Sequence, residues 1–106
     1  MSTTKDFIEY VCEKIPSHYE VRYRYMFGEY MIYINNKPLL LVCDNTVYVK
    51  EYPFLESEQF KETGYPYQGA KRHYILDMDD QEKAMKIIEM IEKNTVLKKK
   101  ANKESK

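Results

Sequence analysis

The 106 residues have room for one domain: 43% are hydrophobic and 32% charged, as in ordinary globular proteins, and no apolar run approaches the roughly 20 residues of a membrane-spanning helix. The formal net charge is zero, but five lysines against Glu104 give residues 95–106 a charge of +4 and leave the remainder at −4, which argues against a duplex-DNA reader with a broad basic face. The amino terminus lacks the basic-then-apolar order of an export signal, and Cys12 and Cys43 have no CxxC spacing. The sequence therefore predicts a cytoplasmic protein with no membrane association, no zinc site and no disulfide framework.

In chain order, Thr3 or Thr4 is placed to cap a first helix whose Phe7, Ile8, Val11, Cys12 and Ile15 share one face, and Pro16 and Ser17 end it. From residue 21 to 50 the period changes to two. Strands are expected over 30–34, 37–43 and 46–50, joined by tight turns at Asn35-Asn36 and Asp44-Asn45, residues that tolerate positive φ. A further strand over 21–25 precedes the turn Met26-Phe27-Gly28. A short middle helix is expected over 55–63 with Gly64 as its left-handed stop, and a fifth strand over 73–76. Asp79 with Glu82 has capping-box spacing, and Ala84, Ile87, Ile88 and Ile91 form the stripe of a last helix ending near Asn94. The expected fold is α+β: an antiparallel four- to five-stranded meander with the N- and C-terminal helices on one face and a short middle helix. The domain spans 1–94, followed by a basic, disordered tail over 95–106.

Two-residue hairpins imply a register in which Ile34 opposes Lys37, Ile32 opposes Leu39, Cys43 opposes Thr46, and Leu41 lies between Tyr30 and Tyr48. Parity then puts Met31, Tyr33, Pro38, Leu40, Val42, Val47 and Val49 on a helix-covered core face. The other face carries Tyr30, Ile32, Ile34, Leu39, Leu41 and Tyr48, edged by Lys37 and Lys50. An odd-length connection before Tyr30 adds Arg22 and Arg24 to that second face, whereas an even one buries both arginines in the core, which is costly. The second face is too apolar for water. Its cover is to be the middle helix with the loops over 51–70, a second copy of the chain, or a different protein.

The string Arg24-Tyr25-Met26-Phe27-Gly28-Glu29-Tyr30, the later Val47-Tyr48-Val49-Lys50, and Gly64-Tyr65-Pro66-Tyr67 together resemble the amino-terminal domain of the TfoX/Sxy competence regulators. The resemblance covers about residues 5 to 93. It implies an α+β domain with an antiparallel sheet, no catalytic residue and no cofactor. It also implies a stand-alone version of that domain without the regulators' carboxy-terminal module, acting in transcriptional control beside a DNA-bound regulator.

The leading reading is a non-catalytic regulatory module that binds a protein, either a different one or a second copy in a homodimer, through Arg22, Arg24, Tyr30, Ile32, Lys37, Leu39, Leu41, Tyr48 and Lys50, with Met26, Phe27 and Gly28 as a structural turn. A second reading is a weak nucleic-acid binder, in which the basic and aromatic patch stacks bases and the lysine tail adds charge. A third is an enzyme of unrecognised type using His73, Tyr67 or Asp77. Asp77, Asp79 and Asp80 lack the glycine and distant glutamate of a calcium loop and are read as helix capping, so no metal site is expected.

Overall fold

The computed structural model describes residues 3–26 and 29–95. Thr4 caps α1 (Lys5–Lys14), its hydroxyl accepting from Phe7 N–H at 3.2 Å. Four strands follow as a meander: β1 (Val21–Met26), β2 (Glu29–Ile34), β3 (Lys37–Cys43) and β4 (Thr46–Lys50). All four turn residues, Asn35, Asn36, Asp44 and Asn45, have positive φ between 53° and 69°, the backbone that two-residue hairpins demand. After a 3-10 turn at Pro53–Leu55 come β5 (Thr63–Gly64), β6 (His73–Ile75) and α2 (Gln81–Asn94). The sheet is antiparallel, six-stranded and open, in the order β1-β2-β3-β4-β6-β5.

The middle helix over 55–63 does not form. The segment leaves the 3-10 turn and reaches the far edge of the sheet as β5, where Gly64 pairs with His73 and is not a left-handed stop. A Cβ on Gly64 would sit 3.4 Å from both Ile75 Cδ1 and Tyr48 Cε1, so the residue permits close approach, not an unusual φ. The cap of α2 is also one residue later than its capping-box spacing predicts: Asp80 accepts from Lys83 N–H, while Asp79 accepts from the Tyr10 hydroxyl and so ties α1 to the entry of α2.

The register of β3 decides which face is core. Ile34 opposes Lys37 and Tyr33 opposes Pro38, but Ile32 then opposes Leu40, not Leu39, because the ladder carries a bulge between Ile32 and Tyr33. Proline has no N–H for the ladder, and inside a sheet it is tolerated at bulges; Pro38 lies in a central strand, and the extra residue Leu39 follows it. The bulge exchanges the faces of β2 relative to β3. Ile32 and Ile34 therefore join Leu40, Val42, Val47 and Val49 on the core face, each no more than 2% exposed, whereas Met31, Tyr33 and Pro38, expected in the core, lie on the opposite face.

The core-face residues form one cluster with Ile8, Val11 and Ile15 and with Ala84, Ile87, Ile88 and Ile91 of α2, the helical stripes read from the sequence. Full burial of such a side chain is worth about 1.5–3 kcal/mol, so the cluster supplies most of what holds the sheet to the helices. Lys37 fixes the end of α2: its Nζ donates to the Glu92 carbonyl at 2.7 Å and to Glu92 Oε2 at 3.1 Å, and Asn35 Nδ2 donates to the same carboxylate at 3.0 Å. A cation here also suits the negative end of the helix dipole.

Candidate functional site

The pairings lay out the second face in three rows. The central row runs straight across five strands as Arg24, Met31, Leu41, Tyr48 and Ile75, each directly opposite the next. On one side of it lie Met26 and Glu29, then Cys43 and Thr46; on the other lie Arg22, Tyr33 and Pro38, then Lys50 and His73. None of these residues is buried: Met31, Tyr33, Leu41, Tyr48 and Ile75 are half-buried, and Arg22, Arg24, Pro38 and Lys50 are exposed. This is the open face of the sheet.

The segment 65–72 returns along part of this face from β5 to β6. It closes one wall of a groove of about 360 Å³, in which Leu39, Leu41 and Tyr48 form the floor and Tyr67, Lys71 and His73 the rim. Tyr48 meets the His73 ring edge-on at 6.3 Å, and His73 Nδ1 lies 2.8 Å from the Lys71 carbonyl. A carbonyl oxygen only accepts, so it is the Nδ1–H that donates in this contact. Arg72 is turned away, in a two-point pair with Glu51 at 2.6 and 3.3 Å.

Charge is divided along the face. Arg22 lies over the Tyr33 ring, 4.4 Å from its centroid, and no carboxylate pairs with Arg22, Arg24, Lys50 or Lys71 among the described residues. Glu29 occupies the other end, where burial pushes its carboxyl above the usual range; Cys43 and Tyr48 are raised first by burial and then by neighbouring negative groups. A cationic, aromatic end thus grades through a middle row that is apolar except for Arg24 at its β1 end into a weakly acidic end.

Of the residues read from the sequence as an interaction surface, Arg22, Arg24, Leu41, Tyr48 and Lys50 share the open face, and Leu39 lines its groove. Tyr30 and Ile32 do not, because the bulge turns them toward the helices. Lys37 is on that side too, engaged by Glu92 with only 17% of its side chain exposed. The connection after β1 is even, since Met26 opposes Glu29. The arginines nonetheless avoid the core, because the face they share with Met31 and Tyr33 is the open one. Met26 is the last residue of β1; Phe27 and Gly28 lie outside the described residues, as does the tail beyond residue 95.

Sequence reasoning missed Met31, Tyr33, Pro38 and Ile75 as members of this face. The available signal was Pro38 itself, a proline in a strand flanked on both sides. His73 and Tyr67 do meet at one groove, but Asp77 lines a different cavity of about 460 Å³ between Phe7, Tyr10, Phe60 and Lys83, so the three are not one constellation. Among the described residues no group of three or more His, Cys, Asp or Glu is placed to hold a metal ion, and no helix is long and apolar enough to cross a membrane.

No protein-family model matches the chain, and no solved structure matches it. A protein of Spirochaeta aurantia described as an uncharacterized 12.7 kDa protein in the trpE 5' region is 32% identical over 80 residues, which are 73% of this chain and 68% of that protein. Identity at that level over that share of both chains is common descent, and the chain belongs to the family of this Spirochaeta protein.

Proposed function

We propose that the chain is a small interaction domain that docks a protein partner on the open face of its sheet. The observation that carries this reading is the row Arg24-Met31-Leu41-Tyr48-Ile75, in which a half-exposed apolar and aromatic strip crosses four strands and ends on an exposed arginine, beside Arg22 and Lys50, which like Arg24 have no carboxylate partner among the described residues. Sheets with one solvated face ordinarily carry polar side chains there. Tyrosine, methionine and arginine are the residues enriched where proteins meet. The resemblance to the TfoX/Sxy amino-terminal domain supports the same reading and gives the partner a type, a transcription regulator that itself holds the DNA. A cytoplasmic setting goes with it, and the two free thiols suit a reducing compartment.

A nucleic-acid ligand is the weaker reading because Lys37 is withdrawn to Glu92 and Glu29 shares the face with the arginines. The test is affinity capture from the native lysate with wild-type chain and with Leu41→Asp, each with and without nuclease. A protein retained by the wild type, lost with Leu41→Asp and indifferent to nuclease supports the proposal. Retention abolished by nuclease, or unchanged by Leu41→Asp, refutes it.

A further inference from the structure

The two edges of the sheet are managed differently. At one end β5 is two residues long, too short to template another strand. At the other end β1 is six residues long, pairs with β2 in unbroken register and has no neighbouring strand on its outer side among the described residues. It contains no proline and no bulge.

The outward groups follow from one hydrogen bond. Asn35 N–H donates to the Glu20 carbonyl at 2.7 Å, and hydrogen-bonded pairs in an antiparallel ladder recur at every second residue. Residues 20, 22, 24 and 26 therefore turn their backbone groups to β2, and Val21, Tyr23 and Tyr25 turn theirs to the open edge. On the helix-side face, Tyr23 and Tyr25 are 36% and 59% exposed, and both rest edge-on against Tyr30 at 5.6 and 5.1 Å. On the open face, Arg22 and Arg24 stand exposed with no carboxylate partner among the described residues.

We infer that β1 accepts an added antiparallel strand from a partner segment in which acidic and apolar residues alternate. Residues directly opposite one another project to the same side of a sheet, so the acidic positions face Arg22 and Arg24 and the apolar positions cover Tyr23 and Tyr25. Charge separates this occupant from a second copy of the chain. A two-fold pairing of β1 with itself that uses most of the strand sets Arg22 opposite Arg24, or Arg24 opposite Arg24, and like charges directly opposed destabilise the pair. The arginines thus guard the edge against its own kind and leave it open to an acidic strand. The inference rests on the reading of this chain as an interaction domain, but it concerns the edge and not the apolar row, and the two fail separately.

The probes are synthetic peptides of about eight residues, long enough to pair along one strand: alternating glutamate and valine, alternating lysine and valine, and the first with proline at its centre. Hydrogen exchange of the full chain with millimolar Glu/Val peptide is expected to protect the amides of Val21, Tyr23 and Tyr25 and to leave those of Thr63 and Gly64 unchanged. The Lys/Val and proline peptides should give no protection. With Arg22→Glu and Arg24→Glu together, both exposed and outside the core, the preference should invert to Lys/Val by about tenfold at low salt. Leu41→Asp should not alter the protection. Three results would overturn the inference: no protection by Glu/Val, equal protection by Lys/Val, or protection that grows with protein concentration without peptide, which identifies a second copy as the occupant.

Discussion

Ile32 and Met31 are neighbours in β2, and the bulge assigns them opposite fates, so truncating each to alanine reads the register directly. Ile32 has no exposed surface and lies in the cluster shared by both helices. Removing three buried carbons costs about 0.8 kcal/mol each in transfer, and the cavity left behind raises the usual total to about 2–5 kcal/mol. Small domains have about 5–15 kcal/mol of stability in all, and each kcal/mol moves the melting temperature of a domain this size by about 4–8 °C, so Ile32→Ala should lower it by roughly 10–40 °C. Met31 is half-buried on the open face, and Met31→Ala should cost about 1 kcal/mol or less. Urea unfolding followed by circular dichroism measures both on the same scale. A larger loss for Met31→Ala than for Ile32→Ala would mean that β3 runs without its bulge, that Tyr30, Ile32 and Ile34 face outward, and that the open face described above is wrong.

The remaining expectations are simpler. Bonds from Asn35 and Lys37 hold the Glu92 carboxyl below the usual carboxylate range. Its stabilising effect is present above the unfolded value and is lost as pH falls through the lower, folded one. Glu92→Gln should therefore flatten the fall of stability between about pH 5 and 3, read by urea midpoints; an unchanged slope contradicts the role given to Lys37. Asn36 has φ of 69°, which glycine adopts without strain, so Asn36→Gly should raise stability by about 0.5 kcal/mol, and a loss would show that its side chain matters more than its backbone. Burial, with Glu9 secondary, pushes the Cys12 thiol up to about 11. In a Cys43→Ser background it should react with a thiol reagent at pH 8 far more slowly than free cysteine, and an ordinary rate would place it on the surface.

Local signals carried most of the fold. Thr4, the two pairs of positive-φ turn residues and the stripe of Ala84, Ile87, Ile88 and Ile91 each act within a few residues, and all do in three dimensions what their spacing implies. The failures are non-local. The three consecutive leucines after Pro38 hide the period of two, so only a pairing partner fixes which of them faces the helices. The segment after Leu55 satisfies its backbone at the sheet edge and not in a helix, with Ile75 N–H donating to the Glu62 carbonyl at 3.0 Å. Part of the candidate surface was legible for the same reason: Leu41, Tyr48 and Lys50 follow from hairpins fixed by their own turns. Tyr30, Ile32 and Lys37 depended on a ladder with one more residue than parity allows.

The decisive measurement is thiol labelling of Leu41→Cys beside Leu40→Cys, with Cys12 and Cys43 replaced. In isolation position 41 should react quickly and position 40 slowly, and nuclease-treated native lysate should protect position 41 alone. Slow reaction of position 41 in the isolated protein would show that the chain seals this face by itself, and unchanged reaction in the lysate would show that no protein covers it.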